Sequence, residues 1–278
     1  MYIINCLGRP LLLNAPVVMG IINVTSNSFY KGFLENTREE ILKIAGEMLD
    51  AGAGILDVGG QTTKPGSLPL SASEEAARVL PVIQSIKKAF PAAIISVDTF
   101  YATVARKAVG EGASIVNDVS GGNWDSDMLD TVAALSVPYV CMHMQGTPET
   151  MQQNPTYDDV VQTVLQFFID RVALCRQKGI KDVIIDPGFG FGKTIAHNLT
   201  LVNELQKFAV LDVPILAGLS RKSTVYKTLG ITPDDALNGT TVLNTIALLN
   251  GAHLLRVHDV KEAVEAVKLV NAYRMHSQ

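Results

Sequence analysis

The residues able to do chemistry sit where short apolar runs stop. Asn23, Asp57, Asp98, Asn117 with Asp118, His143, Asp186, Ser220 with Arg221 and Lys222, and Arg256 with His258 each follow a β-branched or apolar stretch. Taken singly, an Asp or Asn just past a strand is often a turn former or a helix cap. Taken together, they would make a crowded polar cluster that a bound polar ligand could satisfy. The last two segments are cationic: Lys222 and Arg256, with Ser220, Ser223 and His258 close by in sequence, suit phosphate recognition. Arg256 and His258 are two residues apart on an extended run, so both point to one face and could clasp one diphosphate.

One run resembles two kinds of nucleotide motif and fails both on spacing. The run Asp186-Pro187-Gly188-Phe189-Gly190-Phe191-Gly192-Lys193-Thr194 ends like a phosphate loop, but Pro187 stands where that loop needs its first glycine. Its glycines alternate as GxGxG, which is not the dinucleotide fingerprint. A glycine-rich wall fits better, with tight backbone turns and the rings of Phe189 and Phe191 offered to a flat substrate. The five histidines show no HxxxH or HExxH pairing, so zinc is not indicated. Magnesium needs only one or two protein oxygens when substrate phosphates supply the rest, and Asn23 could give one.

The elements that carry these residues alternate along the chain. Strands are expected at Val17–Asn23, Ile55–Gly59, Ile94–Thr99, Ser114–Val119, Tyr139–Met144, Val183–Pro187, Pro214–Leu219 and Leu254–His258. Helical periodicity fills the intervals near Arg38–Ala51, Ser73–Ala89, Thr103–Glu111, Asp127–Leu135, Tyr157–Lys178, Asn198–Phe208, Pro233–Asn250 and Lys261–Tyr273. Ser73 and Pro233, each followed by carboxylates, read as helix starts. A doubly wound sheet gathers its polar ends at one switch point, whereas a barrel gathers all of them around one mouth. Here they spread over all eight strands, so the expected fold is α/β: a (β/α)8 TIM barrel, one domain over residues 1–278.

Composition agrees and excludes several classes. At 47% apolar, 278 residues can bury one large core. With 23 basic and 27 acidic residues, the chain carries no overall nucleic-acid footprint, so any anion site is local. Cys6, Cys141 and Cys175 lack CxxC spacing and are odd in number, which fits a reducing compartment. No signal segment and no run of ~20 apolar residues is present, so a cytoplasmic protein that does not enter a membrane is expected.

In order along the chain, Met19-Gly20-Ile21-Ile22-Asn23-Val24-Thr25, Asp57-Val58-Gly59-Gly60, Thr63-Lys64-Pro65-Gly66, Ser96-Val97-Asp98-Thr99, Asn117-Asp118-Val119-Ser120-Gly121, Met142-His143-Met144-Gln145-Gly146, Asp186 to Lys193, Ser220-Arg221-Lys222-Ser223 and Arg256-Val257-His258-Asp259-Val260 resemble the dihydropteroate synthases. The resemblance implies a folate-pathway transferase. Its pterin methyl diphosphate loses pyrophosphate, and the amine of 4-aminobenzoate takes its place to give 7,8-dihydropteroate. It assigns the pterin ring to Asp98, Asn117, Asp186 and Lys222, and the diphosphate to Thr63, Arg256 and His258. Magnesium falls to Asn23, and the 4-aminobenzoate side to Phe29, Lys64, Phe191 and Ser223. Asp98, Lys222, Arg256 and His258 are then the catalytic groups, acting on a pterin cation with no covalent intermediate. The family is usually a homodimer joined through late helices. The stripe Ala263, Val264, Val267 and Val270 fits that role, or equally the side of a helix that faces the barrel.

Departures from the family pattern fall in the early loops. Ser26, Asn27, Tyr30, Lys31 and Phe33 replace Pro, Asp, Ser, Asp and Gly, and Gln61 and Lys64 replace Glu and Arg. Lys64 keeps its charge without a planar fork, so the expected effect is on 4-aminobenzoate and sulfonamide binding more than on pterin. Loops 24–36 and 60–72 are expected to be mobile until both substrates bind. Two other functions suit parts of the pattern: a pterin-dependent methyltransferase on a similar barrel, which would need no diphosphate site, and a non-catalytic pterin-binding paralogue.

Overall fold

The computed structural model describes residues 1–24, 34–61, 68–147 and 149–276. Among them, eight parallel strands form one sheet: β3 (Val17–Asn23), β4 (Ile55–Gly59), β5 (Ile95–Asp98), β6 (Ile115–Asp118), β7 (Tyr139–Met142), β8 (Val183–Asp186), β9 (Leu216–Ala217) and β10 (Leu254–Val257). Neighbours run in chain order from β3 to β8, with β10 and then β9 on the other side of β3. An Ile185–Ile215 bridge joins β8 to the β9 side, and the Ile185 N–H donates to Pro214 O at 3.0 Å, closing the ring. The expected (β/α)8 barrel is the observed one, its strands within a residue or two of the expected bounds except β9. There the Pro214–Leu219 run keeps only two residues in strand geometry.

Helices cover the outside: α1 (Leu34–Asp50), α2 (Ala72–Ala89), α3 (Ala102–Gly110), α4 (Met128–Leu135), α5 (Val160–Gln177), α6 (Ile195–Asn203), α7 (Ser223–Leu229), α8 (Leu237–Leu249) and α9 (Val260–Met275). Ser71, not Ser73, caps α2, where its hydroxyl and the Glu74 carboxylate satisfy each other's backbone N–H in a capping box. The helix expected from Pro233 starts at Leu237. The one expected over Asn198–Phe208 ends at Asn203, and a 3-10 turn over Leu205–Leu211 follows. Helix α7, unforeseen in sequence, occupies the segment just after Lys222. On α9, Ala263, Val267 and Val270 are buried and Val264 packs on the core, so that stripe faces the barrel.

Strand alternation divides the chemistry. Outward residues such as Val18, Val58, Val97, Val116 and Ile185 join the helices in the main core. Inward residues Met19, Ile55, Ile115, Val140, Ile184, Leu216 and Leu254 form a second apolar layer low in the barrel. An N-terminal hairpin, β1 (Tyr2–Cys6) and β2 (Arg9–Leu13), was not legible in the sequence; it plugs that layer with Ile4, Cys6 and Leu13. Its two-residue turn sets both Leu7 and Gly8 at positive φ, and Asn5 Oδ1 accepts from the Gly8 N–H at 2.7 Å. With one end plugged, substrate access is left to the C-terminal mouth.

Candidate active site

Above the apolar layer, the next inward positions are polar. Asp57 on β4 and Asp98 on β5 lie two registers apart, and Asn117 on β6 is level with Asp98. Asp186 ends β8, and Arg256 reaches in from β10. Arg256 Nε donates to Asp57 Oδ2 at 2.6 Å, Arg256 Nη2 donates to Asp98 Oδ2 at 2.6 Å, and Asn117 Nδ2 donates to Asp57 Oδ2 at 3.1 Å. Lys222, just before α7, sends its ammonium to Phe189 O at 2.5 Å and sits 4.6 Å over the Phe191 ring. A methyl group added to Gly218 would lie 3.6 Å from Lys222 Nζ and 3.7 Å from Asp186 Oδ2. That glycine therefore keeps the space between the two charges open. Asp98, Asn117, Asp186, Lys222 and Arg256, read from five separate segments, share one mouth.

Burial tunes these charges. It pushes Asp98 upward against the pull of Arg256, with Asp57 and Glu75 adding to the rise. It likewise raises Asp186 against Lys222. Lys222 is pushed down to about 8 by burial, with Asp186 opposing. Burial also works against the Arg256 charge, but Asp57 and Asp98 outweigh it and raise its pKa. His258, exposed at the mouth, shares a 3.0 Å hydrogen bond between its Nδ1 and Ser220 Oγ; partial desolvation of its ring, then the Arg256 charge, lowers its pKa. Asn23 ends β3 with its side chain exposed at the same rim, and half-buried Ser223 opens α7. Among the described residues, no cluster of three or more His, Cys, Asp or Glu could hold a metal by itself.

Several strand-end residues do other work. Asp118 follows inward Asn117 and so points outward, where it accepts from the Ser120 and Gly122 N–H groups and from Tyr139 Oη at 2.8 Å. Arg221 turns away to Asp259 and to the Pro233 and Asp234 carbonyls. His143 is buried and gives its ring to Lys193. Phe189 enters the core between barrel and helices, so of the two rings in the glycine-rich wall only Phe191 lies by the mouth, in a cluster with Phe100, Val119, Met142 and Met151. Phe29, Thr63 and Lys64, like Ser26, Asn27, Tyr30, Lys31 and Phe33, lie outside the described residues.

Two supports were not assigned from sequence. Lys193, buried without a bonded carboxylate, holds His143 Nδ1 at 3.0 Å, and donates to the His143, Gly188 and Phe191 carbonyls at 3.3, 3.0 and 3.1 Å. Burial lowers its pKa to about 7, with Asp186 opposing, and burial with the neighbouring Lys193 takes His143 to about 3. The glycine-rich loop is pressed so close that a Cβ on Gly188, at φ 71°, would stand 1.8 Å from the same His143 oxygen. Gln61 is the second support. Its Oε1 accepts from the Leu70 N–H at 2.9 Å, while Nε2 donates to Leu70 O at 3.3 Å and to Glu75 Oε2. An amide can donate and accept at once, which a carboxylate in its place could not do when ionised. Burial pushes Glu75 up to about 7, against hydrogen bonds from Thr99 and Gln61.

Known proteins resemble this chain over nearly its whole length. Residues 19–258 match the family model described as pterin binding enzyme. A dihydropteroate synthase of Escherichia coli strain K12 is 43% identical over 267 residues, covering 95% of this chain and 94% of that protein. A dihydropteroate synthase of Xanthomonas albilineans, solved with 4-aminobenzoic acid, superposes with a TM-score of 0.90 at 40% identity over 98% of both chains. The enzyme of that organism in complex with 7,8-dihydropteroate gives 0.87 at 39% identity, covering 98% of this chain and 99% of the other. On a match of that length and identity, the chain belongs to the pterin-binding enzyme family and, within it, to the dihydropteroate synthases.

Proposed function

We propose that the polar mouth divides the synthase reaction between two adjoining regions, one that reads the pterin and one that receives the leaving group. The reaction is that of a folate-biosynthesis transferase: (7,8-dihydropterin-6-yl)methyl diphosphate and 4-aminobenzoate give 7,8-dihydropteroate and diphosphate. Asp98, Asn117, Asp186 and Lys222 take the ring edge, a fixed array of donors and acceptors. Buried polar partners discriminate strongly there because a wrong analogue leaves them unpaired. The observation that carries the reading is the convergence of these four side chains with Arg256 above an apolar barrel layer.

The C–O bond to diphosphate breaks first, and its electron pair leaves with the diphosphate. Arg256 and His258, with Thr63 from the second loop, stabilise that departing charge. Two of the Arg256 nitrogens are given to carboxylates, and Nη1 makes no hydrogen bond among the described residues, so it is free to meet phosphate. Asp98 faces the resulting pterin cation. The amine of 4-aminobenzoate, held by Phe29, Lys64, Phe191 and Ser223, then forms the C–N bond and loses a proton. No side chain bonds covalently to the substrate. The rim would suit Mg2+ only as a site completed by substrate, with Asn23 the residue that would hold it and phosphate and water oxygens needed for the rest. Bound there, the ion offsets charge on the leaving group.

The partners are these small molecules, not nucleic acid, and a second copy of the chain. Exposed apolar side chains on the late helices, Leu229, Val242, Ile246, Leu249 and Leu269, support a homodimer. No helix among the described residues is long and apolar enough to cross a membrane, and the three cysteines are free, in keeping with a reducing, cytoplasmic setting. The single eight-stranded ring supports one working domain over residues 1–278. The test is to incubate purified protein with the pterin diphosphate and Mg2+, with and without 4-aminobenzoate. Diphosphate release with dihydropteroate formed is expected; tight pterin binding with no release would replace this reading with a pterin sensor.

A further inference from the structure

Asp57 has no place in the reaction above, yet it lies under the centre of the site. It is wholly buried on β4, one inward position above Ile55. Its Oδ2 alone accepts from both Arg256 Nε at 2.6 Å and Asn117 Nδ2 at 3.1 Å. Its Oδ1 is buried with no hydrogen-bond partner. A core carboxylate kept only for stability would be expected to have both oxygens satisfied. Arg256 meanwhile shares its remaining bond with Asp98 through Nη2 at 2.6 Å. One guanidinium is thus split between two carboxylates on neighbouring strands, and one carboxylate oxygen joins a ring-reading amide to a diphosphate-facing cation.

We propose that Asp57 is a positioning residue that holds Arg256 back from Asp98. Guanidinium and carboxylate prefer a parallel two-bond fork, and Asp98 offers that fork to Arg256 as soon as nothing competes for Nε. Such a fork would occupy both oxygens of Asp98 and both facing nitrogens of Arg256, withdrawing one group from the ring and one from the leaving group. Asp57 prevents this by taking Nε from below, so a single Asp98 oxygen is engaged and Arg256 Nη1 stays open. Asp57 itself touches no substrate. The proposal rests on the pterin reading given above and deepens it.

The experiment measures equilibrium binding of 6-hydroxymethylpterin, which carries no diphosphate and does not react, to the full-length protein and three variants. In Asp57→Asn the amide oxygen can still accept from Asn117, but the anion that competes for Arg256 is gone. Masking Asp98 behind a fork should weaken pterin binding about tenfold, the loss of one charge-assisted hydrogen bond. Arg256→Gln sets the arginine-free reference, whatever its own affinity. In that background Asp57→Asn should change pterin binding by no more than about threefold, since no arginine is left to mask Asp98. A merely structural role for Asp57 would weaken binding in both backgrounds alike. Unchanged binding in the single Asp57→Asn variant, or a combined variant about tenfold weaker than Arg256→Gln, would overturn the proposal. Should Asp57→Asn alone not fold, the combined variant is compared with Arg256→Gln: equal affinity upholds the proposal and a further tenfold loss refutes it. No binding by the unaltered protein would sink the pterin assignment itself, and this proposal with it.

Discussion

At the residue scale, the site is a balance between charge and burial. Lys222 bonds Phe189 O, lies over the Phe191 ring and faces Asp186, and burial brings its pKa to about 8. Because a lowered lysine loses its proton earlier, its charge is present below about pH 8 and disappears above it. The kcat/KM for the pterin substrate should therefore fall as pH rises through about 8. A Lys222→Met variant should lose that limb and drop roughly 10- to 100-fold at pH 7, as for one charge-assisted contact. Steady-state rates across pH 6 to 10 would check this, and a limb that persists in the variant would reject it. The identity of such residues was legible in sequence because polar groups at the ends of apolar runs are conspicuous. Their direction was only partly so. Period two separates inward Asn117 from outward Asp118, but nothing in the spacing reveals that Arg221 swings to Asp259 while Lys222, next to it, enters the mouth. Arg221 adopts φ 53°, a left-handed backbone at the point where the two side chains part.

At the scale of elements, the glycine-rich loop after β8 is the wall on which Lys222 leans, and Lys193 holds that wall to the loop after β7. Its three N–H groups are shared among four acceptors in a space where glycine brings the two backbones together. Lys193→Met would leave those acceptors unpaired, while removing the cost of burying the charge. The acceptors should win, with a loss of about 2–4 kcal/mol in a urea titration, because several carbonyls lose their donor together. KM for 4-aminobenzoate should rise as Phe191 shifts; a stability equal to that of the unaltered protein would show the ammonium to be dispensable. The βα alternation carried most of this architecture in advance. It did not carry the β1–β2 hairpin, whose short strands and Leu7-Gly8 turn lack the usual Asn-Gly signal, nor α7, whose seven residues are too few for a helical period to show.

At the scale of the whole molecule, a plugged, apolar lower barrel and a polar upper mouth give the chain one place for a flat, polar, anionic substrate. Strand alternation sets which strand residues reach it, so the eight-stranded ring is as much a part of the chemistry as the side chains are. The fold was readable because every strand repeats one pattern, whereas the interior bond from Arg256 to Asp57, some two hundred residues away in sequence, was not, since barrel closure creates it. A crystal structure of this chain with 7,8-dihydropteroate bound measures the central claim most directly. The pterin edge should lie within about 3.2 Å of donor or acceptor atoms of Asp98, Asn117, Asp186 and Lys222. A pterin seated away from that quartet, or bound with those four side chains still engaged only by their present protein partners, would contradict the account.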